Sequence, residues 1–229
     1  MKRMFSSAMV AIAMLAIVAC GGKDDDPDPL TGGWVDLELP SGLLWAEHNL
    51  GAIAQEDFGD YYAWGEIVTK NVYDWETYHY CTTNEYGNLV TLTKYNTKSD
   101  YGTIDNLSAL ETIDDVAASV LGSGARIPTR DEWMELVNHT TVEWTTVNDV
   151  AGYKFTGSNG KSIFVPAAGR RYDSSLWDSG EEGFYWSSTL HNASPDHAWA
   201  LCYRQGYYSV TNEFRYRGHS IRPVKAKAQ

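Results

Sequence analysis

TRDEWMELV (Thr129 to Val137) starts as a helix, and GYKFTGSNGKSIFVPAAG (Gly152 to Gly169) cannot continue as one. In the first stretch Thr129 and Glu132 stand three residues apart. At that spacing a capping hydroxyl and a carboxylate satisfy each other's backbone donors at a helix start. Trp133, Leu136 and Val137 then share one helical side at i, i+3 and i+4. In the second stretch the apolar period falls to two. Tyr153-Lys154-Phe155-Thr156 and Lys161-Ser162-Ile163-Phe164-Val165 flank Gly157-Ser158-Asn159-Gly160, and Asn-Gly is a strong hairpin turn.

The rest of the chain reads outward from this change of period. Upstream, Asp114-Asp115 precede Val116, Ala117, Val120 and Leu121, which share a helical face, and Gly122 is placed to end that helix. Asp114 and Asp115 suit a helix start through its dipole, which outweighs a reading as metal ligands. Val35 to Leu39 alternates as a strand, Pro40-Ser41-Gly42 turns, and Leu43-Leu44-Trp45 reads as a second strand. Asn71 to Tyr101 is rich in Tyr, Thr and Asn with little periodicity, so a long irregular insertion with short hairpins is expected. Downstream, Tyr185 to Ser188, Ala198 to Tyr203 and Tyr207 to Val210 read as strands. His219 to Val224 is expected as a final edge strand, because Pro223 cannot donate to a ladder. Strands, two helices, then a β-rich half make the class α+β.

Composition narrows the function. The 229 residues are 43% hydrophobic and 13% aromatic, enough for a substantial core and unlike a disordered chain. Thirty acidic against eighteen basic residues, net −12, argue against nucleic-acid binding, which needs clustered Lys and Arg. Lys2 and Arg3 precede an apolar run, Ala8 to Ala19, too short for a stable span of roughly 20 residues. The approach Ile17-Val18-Ala19-Cys20 resembles a bacterial lipoprotein signal, which makes residues 1–19 a signal peptide and Cys20 the lipid attachment point. Residues 20–33 are polar and acidic and read as a flexible tether, leaving 34–225 as a single domain. The triple Asp of the tether lacks a scaffold that would make it a calcium site. Cys81 and Cys202 are compatible with a disulfide or with two buried thiols, and no CxxC or Cys/His metal spacing occurs.

Six stretches occur in a telling order: VDLELPSGLLWAEHNLGA (Val35 to Ala52), GDYYAWGE (Gly59 to Glu66), DDVAASVLGSGARIPTRDEWMEL (Asp114 to Leu136), GYKFTGSNGKSIFVPAAG, FYWSSTL (Phe184 to Leu190) and RYRGHSIRPV (Arg215 to Val224). Together they resemble the Fibrobacter succinogenes major paralogous domain family of Bacteroidetes surface lipoproteins. That resemblance covers nearly all of Val35 to Val224 and implies a C-type-lectin-like fold, shared with formylglycine-generating enzymes. It implies two helices packed on small twisted antiparallel sheets, with long loops and ligands met on a C-terminal face. Arg126, Trp133, Trp186 and Arg222 lie in stretches that mark scaffold in such relatives. An outer-membrane lipoprotein exposed on the cell surface is the implied setting, with the membrane met through the N-terminal lipid alone.

Catalysis finds little support in the residues. A sulfatase-modifying oxidase needs a C-terminal cysteine pair, and only Cys202 is there. Glu181 and Glu182 are neighbours, not opposed carboxylates across a sugar. No GxSxG or HExxH motif occurs. Ser194-Pro195-Asp196 only echoes a calcium-lectin motif, so neither metal nor cofactor is expected. The informative region is Leu190 to Arg217, dense in Tyr, Trp and Arg, the residues that dominate binding hot spots. Trp199, Tyr203, Arg204, Tyr207, Tyr208, Asn212, Glu213 and Arg217 are the candidate ligand-binding residues for a glycan or protein, with Trp199, Arg204, Tyr207 and Tyr208 expected to lie near one another. Alternation sends Tyr207 and Tyr208 to opposite faces unless a bulge intervenes. The alternative is a structural subunit or cap of a surface assembly.

Overall fold

The computed structural model describes residues 33–122 and 124–227, so Cys20, the signal and the tether through Gly32 lie outside the described residues. Two short strands come first, β1 (Trp34–Asp36) and β2 (Leu43–Ala46), followed by β3 (Tyr61–Tyr62). The Asn71 to Tyr101 stretch holds one small hairpin, β4 (Cys81–Thr83) with β5 (Leu89–Leu92). Helices α1 (Val116–Leu121) and α2 (Arg130–His139) follow. Next come β6 (Thr141–Val147), β7 (Val150–Thr156) and β8 (Ser162–Pro166), then the hairpin β9 (Arg170–Tyr172) and β10 (Ser175–Trp177). The long strands β11 (Glu182–Leu190), β12 (His197–Arg204) and β13 (Tyr207–Phe214) precede β14 (His219–Ser220) and β15 (Val224–Ala226). The class is α+β, with strands dominant.

The central sheet has the order β13-β12-β11-β14-β3, with β14 parallel to β11 and the other pairs antiparallel. Two three-stranded sheets, β1-β2-β15 and β6-β7-β8, surround it. Alternation buries both of its faces. Tyr185, Leu201 and Tyr203 pack with Trp133, Leu136, Phe155 and Val165. Phe184, Trp186, Ala198, Ala200 and Cys202 pack with Trp64, Tyr95, Val116 and Ala117.

Both helices start where their caps dictate. Asp115 accepts from the Ala118 amide, and Thr129 with Glu132 forms the complete capping box. Arg126 grips the same Glu132 with two hydrogen bonds of 2.6 and 2.7 Å. Since α1 has only six residues, its buried side ends with Val116 and Ala117, and Val120 is exposed.

The C-terminal segment differs from the expected single edge strand. His219-Ser220 lies inside the central sheet, between β11 and β3, while β15 joins β2 in another sheet. Pro223 sits between them, and its carbonyl accepts the Ala46 amide, so a residue without a donor marks the crossing from sheet to sheet. Cys81 and Cys202 are free thiols.

Asp114 ties the long insertion to the helices. It accepts Tyr80 Oη at 2.7 Å, Lys94 Nζ at 2.6 Å, and the Tyr95 hydroxyl. Burial works to raise this carboxyl's pKa, yet the donors outweigh it and hold it below the usual value. A depressed folded pKa means that the stabilisation is complete above about pH 4 and fades as pH falls through the folded value. Asp114→Asn is therefore expected to cost about 1.5–3 kcal/mol at neutral pH. It should also flatten the acid limb of stability, measured by urea unfolding from pH 7 to pH 3. Parallel wild-type and variant profiles would contradict this linkage.

Candidate ligand-binding face

The hairpin of β12 and β13 turns over Gln205-Gly206, with Gly206 at φ 76° where a side chain would be strained. Its register assigns faces. Arg204 opposes Tyr207, Cys202 opposes Ser209, Ala200 opposes Thr211 and Ala198 opposes Glu213, all on one side. Trp199 with Asn212, Leu201 with Val210, and Tyr203 with Tyr208 point to the other. The eight sequence candidates are thus divided. Arg204, Tyr207 and Glu213 share a face, joined by Arg217 just beyond the strand.

The second group does not form the expected surface with them. Tyr203 is 2% exposed, and its hydroxyl donates to the carbonyls of Val165 and Pro166 at 2.6 Å, so it is a core residue. Trp199 lies five residues up β12 from Arg204, about 17 Å away along a strand. There it sits under the Arg130 guanidinium at 4.3 Å and beside His191. With those residues, Asp131 and Thr189 it lines a separate cavity of about 370 Å³. Tyr208 is exposed but leans edge-on against Tyr153 at 5.6 Å. Half-buried Asn212 opposes Trp199.

The first group belongs to a line of paired charges. Arg204 Nη1 lies 3.9 Å from Glu182 Oε1, and the Glu182 amide donates to the Asp178 carbonyl. Asp178 pairs with Arg170 at 3.2 Å, and Arg170 reaches Glu213 at 3.5 Å. Glu213 in turn pairs with Arg217, whose guanidinium lies over the Tyr172 ring at 5.8 Å. Tyr172 meets Trp177 edge-on at 6.5 Å. Exposed aromatics therefore flank both ends, Tyr207 at one and Tyr172 with Trp177 at the other, where Leu176 is also exposed. Three arginines balance three carboxylates, so the strip is neutral within an acidic protein.

Arg170, Tyr172, Leu176, Trp177, Asp178 and Glu182 were not among the sequence candidates. The available signal was Asp173-Ser174, turn residues between two aromatic-bearing runs, with Asp173 at φ 54° in the turn. Strands of three residues show no useful alternation.

Chemically, the strip offers planar hydrogen-bonding groups and aromatic faces. Burial pushes the neighbouring Cys202 thiol well above its ordinary pKa, which keeps it protonated and unreactive at neutral pH. His197 Nδ1 pairs with Asp196 at 2.9 Å, but among the described residues no hydroxyl or thiol hydrogen-bonds its other nitrogen. No group of three or more His, Cys, Asp or Glu gathers as a metal site among the described residues. None of the helices among those residues is long and apolar enough to cross a membrane.

A family model described as a domain of unknown function (DUF8237) matches residues 137–224, a span that includes every residue of the charged strip and its flanking aromatics. No curated protein and no solved structure matches the chain.

Proposed function

We propose that the chain is a lipid-anchored surface protein of the Fibrobacter succinogenes major paralogous domain family, with residues 34–225 as one C-type-lectin-like domain. It binds a glycan or protein ligand and catalyses no reaction. The observation that carries this reading is the neutral Arg–carboxylate strip between exposed Tyr207 and the exposed pair Tyr172 and Trp177. Apart from exposed Arg204 the charged groups are half-buried and held by one another, so a ligand meets donors and acceptors already set in place. Sugar hydroxyls are both donors and acceptors, and they match a strip that presents guanidinium donors beside carboxylate acceptors. Exposed rings add contact area at low entropic cost. Net neutrality favours an uncharged glycan over a polyanion. The high thiol pKa of Cys202, and the lack of a hydroxyl or thiol bonded to His197 among the described residues, support a non-catalytic reading.

Glycan-array binding by the purified full chain in detergent tests the function. Saturable binding of uncharged glycans is expected. Absence of any glycan binding, with a stable protein complex recovered by surface cross-linking, would favour the structural-subunit reading. The anchor has its own test in labelled palmitate incorporation. Wild type is expected to take up label and Cys20→Ala to take up none, and equal labelling would refute acylation at Cys20.

A further inference from the structure

The outer edge of β13 is unusually open. This strand is eight residues long and ends the central sheet, yet it is the strand of that sheet with no buried residue. Its pairing to β12 runs without a bulge from His197–Phe214 to Arg204–Tyr207. From Tyr208 to Glu213 its backbone makes hydrogen bonds to β12 and to nothing else among the described residues. The sequence YYSVTNEF contains no Pro and no Lys, the residues that usually protect an edge from strand addition.

We infer that this edge pairs antiparallel with the same edge of a second copy of the chain, joining two central sheets into one. The inference does not depend on the ligand reading. A two-fold axis perpendicular to the sheet keeps each face on its own side, so opposing residues must share the same alternation. With the axis through Thr211, Thr211 faces its own copy and Val210 faces Asn212. Ser209 faces Glu213, and Tyr208 faces Phe214. The pairs are a threonine pair, a valine opposite an asparagine on either side of it, a hydroxyl opposite a carboxylate, and an aromatic pair at each end, with no like charges opposed. The strand's one charged residue never meets itself. Five residues of each strand, Ser209 to Glu213, engage through open backbone, about 17 Å of edge, while the Phe214 carbonyl already accepts the Arg217 amide and the end pairs meet through their rings. The joined edge places the two charged strips on the same side of one sheet, which gives a bivalent surface.

Sedimentation equilibrium of the full chain in density-matched detergent tests this pairing. A dimer that dissociates on dilution is expected, with β13 amides more slowly exchanging in the dimer. Two lysine substitutions, two residues apart on one face, then test the register. Thr211→Lys sets like charges against each other on the axis and should weaken the dimer about tenfold or more. Ser209→Lys faces Glu213 of the second copy and should leave the dimer as tight or tighter. Thermal unfolding of both variants as dilute monomers checks that each is folded. A chain that stays monomeric throughout, or equal weakening by the two lysines, would overturn the inference.

Discussion

Trp133→Ala is expected to cost about 3–5 kcal/mol, the range for emptying a large aromatic site in a core. Trp133 is fully buried on the inward side of α2. Its ring lies 4.8 Å from that of Trp45 and 6.0 Å from that of Tyr185, so it touches both the β2 sheet and the central sheet. The indole N–H donates to the Trp186 carbonyl at 3.1 Å, and truncation leaves that buried acceptor without its partner. Residues from three elements would have to move together to close the gap, which limits relaxation. For a chain of this size the melting temperature should fall by roughly 10 °C or more. Thermal unfolding followed by near-ultraviolet circular dichroism checks the result, and an unchanged midpoint would show that α2 does not hold the two sheets together.

A comparable loss is expected at Arg222, for a different reason. Its guanidinium is fully buried and pairs with no carboxylate among the described residues. Four oxygens surround it instead: Asn49 Oδ1 at 2.9 Å and the carbonyls of Ala46, Glu47 and Phe164 at 3.1, 2.7 and 2.8 Å. These belong to β2, the loop after it, and β8, so one planar fork joins three parts of the chain. Lysine cannot span them, because its single nitrogen has no fork. Arg222→Met removes the donor from three buried acceptors and from the half-buried Glu47 carbonyl, each buried one worth about 1–3 kcal/mol, though shared relaxation makes the losses less than additive. A total of roughly 3–5 kcal/mol is expected, which would remove much of an ordinary domain's stability. Urea unfolding of Arg222→Met and Arg222→Lys should show both midpoints well below wild type. Full stability in the lysine variant would mean that the charge alone, and not the fork, is what the site requires.

Local signals carried much of this fold. The capping pair Thr129 and Glu132, the cap at Asp115 and the Asn159-Gly160 turn act within a few residues, and each is found where its chemistry places it. Strand β6 carries a weaker local signal, although TVEWTTV is rich in β-branched residues. Its turn uses Asn148-Asp149, both left-handed at φ 46° and 66°, in place of the more recognisable Asn-Gly. Pro223 lacks a donor wherever it sits, whereas the two sheets on either side of it are set by long-range pairing to β3, β11 and β2.

The candidate face was legible only in part. Alternation alone sends Tyr207 and Tyr208 apart, as the register shows. It does not reveal that Tyr203 finds two carbonyl acceptors in β8, or that Trp199 lies under Arg130 from α2. Nor does local sequence bring Arg170 to Glu213, a pairing between residues far apart in the chain. Long-range contacts decided which aromatics became core and which remained outside.

The strip between Tyr207 and Trp177 is expected to bind ligand, and the Trp199 cavity is not. Titration calorimetry with the strongest array glycan should be run on Trp177→Ala, Tyr207→Ala and Trp199→Ala, each with its melting temperature. The first two are expected to lose about 2 kcal/mol of binding, roughly thirtyfold in Kd, with little change in melting temperature. Trp199→Ala should bind as wild type does. Wild-type affinity in both strip variants, or a loss confined to Trp199→Ala, would contradict the account.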